Sequence, residues 1–168
     1  MQVNEPFDIS IHWSTPVDLD LCVFFRSRDG RVGGVFSDEF RSEPGDLGSL
    51  NNFPYILHMG DEKEPLPGKI GRELVKVGDP SIFDRLDVVV INYADAIDLL
   101  DVDYNDPCGG CTIVEQCIEA KPTGRGQAYH VATLSRGDDG ALHVQPVNRI
   151  LPLGEAYDSI PGFPLVCE

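Results

Sequence analysis

Basic residues are scarce in this sequence. It contains 13 Lys and Arg against 28 Asp and Glu in 168 residues, a formal net charge of −15. Nucleic acids and anionic membranes both require a cationic surface, so neither is an expected partner of this chain. Cations or a basic protein surface are better candidates. The charge also has a simpler explanation, because acidic surfaces keep many proteins soluble.

Long apolar runs are also missing. No stretch approaches the length that crosses a bilayer, and MQVNEPFDIS at the start lacks the basic and apolar regions of a signal peptide. The five cysteines are an odd number, which does not suggest the disulfide framework of a secreted protein. We therefore expect a soluble, cytoplasmic protein without direct membrane insertion.

Familiar catalytic motifs are absent too. The sequence has no G-x-S-x-G, no phosphate-binding P-loop and no H-E-x-x-H. Its four histidines are scattered, and His58 is the most interesting because it directly precedes an acidic segment. A hydrolase built on paired acids such as Asp18 and Asp61 would still need a nucleophile that the sequence does not supply. We predict that the protein is not an enzyme.

Helical periodicity is scarce, and apolar residues alternate with polar ones instead. In FDISIHW (7–13) one face carries Phe, Ile, Ile and Trp, which is typical of a half-buried strand. Strands are predicted over 7–13, 19–25, 31–36, 55–59, 73–77, 87–93, 112–119, 127–135 and 141–148. Together they predict an all-β fold, an antiparallel β-sandwich of two packed sheets. One short helix is predicted over 79–87, which begins with Asp-Pro.

Two long acidic segments, 37–54 and 60–73, interrupt the strand pattern. Both are rich in Gly and Pro, and ordered loops of this length tend to be functional. No composition change indicates a second domain. We predict one β-sandwich domain over residues 1–150 and a C-terminal tail, 151–168, that packs on the domain or on a partner.

Two carboxylates are predicted at the start of one strand, VDLDLCVFF (17–25). Alternation puts Asp18 and Asp20 on the same face, about 7 Å apart. Such a pair costs stability unless a cation or hydrogen-bond donors offset it. The acidic segments supply further oxygen donors: Asp38, Glu39, Asp46, Asn51, Asn52, Asp61, Glu62 and Glu73. Calcium takes six to eight oxygen ligands, so it fits this pattern, and the alternative is that these carboxylates are simply solvated.

The stretch PCGGCTIVEQC (107–117) is a rival site. Cys108 and Cys111 form half of a possible zinc site, which Cys117 and a histidine would complete. Redox chemistry is less favoured, because the first thiolate should start a helix whereas TIVEQCIEA has the pattern of a strand. We predict free thiols in a hairpin loop, and Cys22 as a small buried apolar residue.

The combination of VDLDL, GSLNNFPYILHMGDE, GREL and DRLDVVVINY resembles the TerD domain of tellurium-resistance and stress-response proteins, and within it the TerA-like branch. The resemblance covers residues 8–150. It implies a cytoplasmic β-sandwich that binds calcium through acidic loops and acts with other stress-response or tellurium-resistance proteins. By position, Asp18 and Asp20 match the family's DLDL aspartates. Asp61 and Glu62 match its acidic pair, and Glu73 matches the glutamate before its next strand.

One stretch departs from the family pattern. EKEPLPGKIGRE (62–73) has two prolines, two lysines and an arginine where the family has a fuller acidic run. Lys63, Lys69 and Arg72 are therefore an alternative source of positive charge for the carboxylates. The preferred hypothesis is a non-enzymatic, calcium-binding scaffold or interaction module. The alternatives are a metal-independent interaction module with internally paired acidic loops and, less favoured, a structural zinc protein.

Overall fold

The structure is a computed structural model that describes residues 2–13, 19–36, 47–60, 71–92, 111–114, 116–118 and 123–167. The described strands are β1 (Gln2–Val3), β2 (Phe7–Trp13), β3 (Asp20–Ser27), β4 (Val32–Val35), β5 (Gly48–Ser49), β6 (Ile56–His58), β7 (Gly71–Val77), β8 (Phe83–Ile91), β9 (Cys111–Ile113), β10 (Gln116–Ile118), β11 (Thr123–Gly124), β12 (Ala128–Arg136) and β13 (Leu142–Leu151). One α-helix, α1 (Leu153–Ser159), and 3-10 helices at Pro80–Ile82 and Phe163–Cys167 accompany them in the described ranges.

The strands form two sheets. The first has the order β1-β13-β12-β8-β3-β4, with β11 added in parallel to β13, and the second has the order β10-β9-β2-β7-β6-β5. The other described pairings are antiparallel. The predicted antiparallel sandwich of two packed sheets is therefore confirmed. No helix in the described ranges is long and apolar enough to span a membrane.

One apolar core lies between the sheets. In β2, Phe7, Ile9, Ile11 and Trp13 are buried while Asp8 is exposed, as the alternation predicts. These side chains belong to a buried cluster that includes residues of β3, β7, β8 and β12. Because period-two alternation puts one face of each strand into this cluster, the hydrophobic pattern fixes the register of both sheets.

The segment 79–87 is not the predicted helix. Asp79 caps a short 3-10 turn, where its Oδ1 accepts a hydrogen bond from the Ser81 N–H at 3.1 Å. Strand β8 then starts at Phe83 and pairs with β3 on one side and β12 on the other. Backbone hydrogen bonds to two neighbours outweigh one turn of helical pattern. The prediction was right about the cap and wrong about the length.

The predicted strand 112–119 is two strands. β9 and β10 form an antiparallel hairpin in which Ile113 pairs with Gln116, and Val114 follows the last residue of β9. Val114 has a φ of 53°, which a β-branched residue rarely adopts. Sequence patterns typically place Asn or Gly at such a turn, which is why this one was not predicted.

The C-terminal segment packs on the outer face of the first sheet. Phe24 of β3 points away from the central core, and its ring centroid lies 5.2 Å from that of Phe163. Ala156 and Ile160 belong to the same buried cluster, together with Cys22. β3 is therefore covered on both faces, which explains why its sequence is apolar at consecutive positions.

We expect Phe163→Ala to lower the free energy of unfolding by about 3 kcal/mol, because the ring is fully buried against Phe24. Tyr157→Ala is the matched control, since Tyr157 is 49% exposed on the same C-terminal layer and should change stability by less than about 0.5 kcal/mol. Urea unfolding measures both variants. Equal stabilities for the two variants would contradict a stabilising role for this layer.

Candidate metal centre

Asp20 and Glu73, two of the predicted site residues, lie at the same end of the sandwich. Asp20 begins β3 in the first sheet, Glu73 lies in β7 of the second, and each is 1% exposed. The Glu73 Oε2 accepts a hydrogen bond from the N–H of Leu21, the residue after Asp20, at 2.7 Å. Burial, and then the charges of Asp20 and Glu73, raise the pKa of the Cys22 thiol. Both carboxylates are therefore close to the same thiol.

His58 of β6 completes this cluster. Its Nε2 lies 3.1 Å from the Leu21 carbonyl oxygen and 3.3 Å from the Glu73 Oε2. Its Nδ1 accepts a hydrogen bond from the Gly60 N–H at 3.1 Å. Nδ1 is thus an acceptor, and a neutral ring with its proton on Nε2 fits all three contacts. The sequence indicated His58 only as a neighbour of an acidic segment and did not reveal its contact with Glu73.

These contacts occur where β3 extends beyond its neighbour β4. The pairing of β3 with β4 runs from Arg26 opposite Val32 to Val23 opposite Val35. Leu21 lies beyond this stretch, and side chains of the second sheet bind its N–H and its C=O. A buried backbone group without a hydrogen bond costs about 1–3 kcal/mol. Glu73 and His58 therefore satisfy the backbone of β3 as an additional strand would.

The remaining predicted ligands, Asp18, Asp38, Asp61 and Glu62, lie outside the described residues. Among the described residues, no group of three or more His, Cys, Asp or Glu has the arrangement of a metal site. Arg72 is exposed and is the neighbour of the buried Glu73 in β7, so its side chain points to the opposite face of the sheet from Glu73.

Three of the segments that lie outside the described residues are flanked by described residues near this cluster. Residues 14–18 precede Leu19, and 61–70 connect Gly60 to Gly71, which pairs with Trp13. Residues 37–46 precede Leu47, whose carbonyl accepts a hydrogen bond from the His58 N–H at 2.8 Å. Carboxylate oxygens are ligands that calcium prefers, and Asp20 and Glu73 supply such oxygens at this end of the sandwich.

Two cysteines, Cys111 and Cys22, can be compared with their predicted environments. Cys111 begins β9 and is buried in the central core, so its predicted position in a hairpin loop is wrong. Burial raises the pKa of its thiol to about 12, which disfavours the thiolate that binds zinc or reacts. Cys22 is buried among apolar residues, as predicted. Cys108 and the side chain of Cys117 lie outside the described part of the chain.

A third buried carboxylate, Asp87 of β8, was not predicted as a site residue. Its Oδ1 accepts a hydrogen bond from the Thr133 Oγ1 at 2.8 Å and lies 2.9 Å from the His130 Nε2. Arg85 Nε donates to its Oδ2 at 2.7 Å. Burial alone would raise the pKa of Asp87, but hydrogen bonds from His130, Arg85 and Thr133 outweigh it and the pKa is lowered. An aspartate within the apolar run DVVVI was the available indication in the sequence.

A β-bulge at Val131 makes this cluster possible. His130 pairs with Val89 and Ala132 with the adjacent Val88, so β12 has one extra residue at this point. The bulge puts His130 and Thr133 on the same face, although residues three apart in a regular strand point to opposite faces. The His130 Nε2 contacts both Asp87 and Thr133, at 3.1 Å from the latter. A catalytic triad uses the two ring nitrogens for different partners, so this arrangement does not have the geometry of a triad.

No family model, curated protein or solved structure matches the chain at a significant level. The resemblance to the TerD domain thus rests on motifs in the sequence alone. Function has to be inferred from the chemistry of the residues that the fold brings together.

We expect His58→Phe to lower the free energy of unfolding by about 3 kcal/mol, because the buried Leu21 C=O and the partly buried Gly60 N–H lose their partner. His143→Phe is the control, since His143 is partly exposed and its bond to Asp139 is at the surface. Urea unfolding at pH 7 distinguishes the two. A His58 variant as stable as the control would contradict the proposed role in binding the edge of β3.

We expect Asp87→Asn to lower the free energy of unfolding by about 3 kcal/mol at pH 7. Because the folded pKa of Asp87 is lowered, its stabilising effect is complete above its unfolded pKa and is lost as pH falls through the folded value. The difference from the wild type should therefore shrink below about pH 4.

Urea unfolding at pH 7 and at acidic pH tests this prediction. Asp8→Asn is the control, because Asp8 is exposed and lies 3.7 Å from the Lys76 Nζ. A difference between wild type and Asp87→Asn that stays constant with pH would contradict the prediction.

Proposed function

We propose that this protein is a non-enzymatic, calcium-binding β-sandwich of the TerD kind. In this proposal it serves as a scaffold or interaction module in a tellurium-resistance or stress-response system, with other proteins of that system as partners. The observation that carries the proposal is the burial of Asp20 and Glu73, which come from opposite sheets at one end of the sandwich, where Glu73 binds the N–H of the residue after Asp20.

The charge at this end supports a cation. Burying a carboxylate is costly unless positive charge or several donors accompany it. The neutral tautomer of His58 gives the Glu73 carboxylate a hydrogen-bond donor but no positive charge. A divalent cation that lies near Asp20 and Glu73 would offset both carboxylates at once.

The composition of the flanking segments also favours calcium. Residues 37–46 and 61–70 contain seven acidic and three basic residues between them, and Asp18 lies immediately before Leu19. Asp38, Asp61 and Glu62 are the ligands that we propose from these segments, together with Asp18, Asp20 and Glu73. A shared ion would tie the segments to the start of β3 and so order a surface for a partner.

A metal-independent interaction module is the second candidate. One observation favours it: the Glu73 Oε2 already accepts a hydrogen bond from Leu21 and contacts His58. In this case Lys63 and Lys69 would supply the positive charge, and partner binding would not respond to a chelator.

Calorimetric titration of chelator-treated protein with calcium, and then with magnesium, tests the proposal. We expect a saturable calcium isotherm and a raised melting temperature, because an ion that binds only the folded state stabilises it. Asp20→Asn should weaken calcium binding by about tenfold or more, since a charged ligand is lost. Asp8→Asn, an exposed change of the same charge, should leave the affinity within about twofold.

Two results would contradict the calcium assignment. The first is the absence of both heat and a melting shift. The second is equal weakening by the Asp20 and Asp8 variants, which would indicate only a general effect of charge. Partner binding that is unchanged by chelator would then support the metal-independent module.

A further inference from the structure

A pair of arginines on the outer face of the first sheet is not used by the candidate metal centre. Arg26 of β3 is directly opposite Arg85 of β8, and Arg85 is opposite Ser135 of β12. Directly opposite residues in a sheet point to the same face, with their Cβ atoms about 5 Å apart. The side chains of Arg26, Arg85 and Ser135 therefore leave the sheet from one short row on the same face.

Arg85 has a fixed orientation in this row. Its Nε donates to the Asp87 Oδ2 at 2.7 Å and its Nη2 donates to the Asp87 Oδ1 at 3.0 Å. Asp87 is fully buried and is itself bound by His130 and Thr133. Two parallel hydrogen bonds hold the guanidinium plane, and the side chain keeps 29% exposure, so its remaining N–H donors are available to a ligand.

Arg26 has no such partner. Within the described residues, no carboxylate contacts its guanidinium, and its side chain is exposed. Like charges directly opposite each other on a sheet are destabilising. Because Asp87 pairs with only one of the two arginines, Arg85, they leave an excess of positive charge at this point of an otherwise acidic chain. An anion bound by both would remove the repulsion.

The row is also far from the acidic end of the molecule. Arg26 lies six residues along β3 from Asp20, which corresponds to about 20 Å of extended chain. At physiological ionic strength the screening length is about 8 Å. The negative charge near Asp20 therefore weakens anion binding at Arg26 only slightly.

We propose that Arg26 and Arg85, with the Ser135 hydroxyl, bind a phosphate group, either as free phosphate or as a phosphate monoester of a small molecule. Two guanidinium groups match the double charge and the several oxygens of phosphate, and the serine hydroxyl can donate to a third oxygen. A carboxylate carries one charge and two oxygens, so it leaves part of the site unused.

Titration of the intact, chelator-treated protein with inorganic phosphate tests this proposal. The arginine Nε–H resonances are followed by NMR at pH 7 and constant ionic strength. We expect saturable shifts at Arg26 and Arg85, and Arg26→Gln should weaken binding by about tenfold, because one charged pair is lost. Arg149→Gln is the matched control. It removes the same charge from β13, where Arg149 pairs with Glu155, and should leave the affinity within about twofold.

Three results would overturn the proposal: shifts that do not saturate, equal weakening by the Arg26 and Arg149 variants, or acetate that binds as tightly as phosphate. A parallel titration with glycerol phosphate distinguishes a phosphate monoester from free phosphate as the ligand. Tighter binding than inorganic phosphate indicates a monoester, and weaker binding indicates the free ion. Calcium is absent throughout, so the result does not depend on the proposed metal centre.

Discussion

The backbone of Leu21 is the constraint on which this end of the molecule depends. Its N–H and C=O lie where β3 extends beyond its pairing with β4, and both groups are buried. Glu73 and His58 reach across from the second sheet and bind them. Because neither group can be left without a partner at low cost, the two sheets are fixed relative to each other here. Asp20 directly precedes Leu21, so its backbone is held in place by the same contacts.

β3 connects the separate features of the protein. Its inward residues join the central core, while Cys22 and Phe24 face outward and are covered by the C-terminal layer. That layer ends before the last part of the strand, where Arg26 is exposed. One strand thus begins with a buried carboxylate, continues through a doubly covered centre and ends with an exposed cation. These three environments lie within the eight residues of β3, which is placed between β8 and β4 in the first sheet.

Local pattern predicted most of the sandwich because alternation is a short-range property that each strand expresses on its own. The outward direction of Asp20 follows from the same alternation, and the importance of Glu73 was implied by the family resemblance. The contact between Glu73 and the Leu21 N–H was not predictable, because the two residues are 52 positions apart and meet only when the sheets pack. The bulge at Val131 is similar, since it exists only relative to the neighbouring strands.

Charge balance favours the proposed calcium ion over internal pairing of the buried carboxylates. Neutral His58 gives Glu73 a hydrogen bond without positive charge, and a cation would add that charge beside two buried carboxylates. Lysines of the flanking segments are one source, but those segments contain more acidic than basic residues and would add more negative charge than they remove. A calcium ion brings two positive charges and uses the surplus carboxylates as ligands. The excess of acid that argues against internal pairing is the same excess that a calcium site requires.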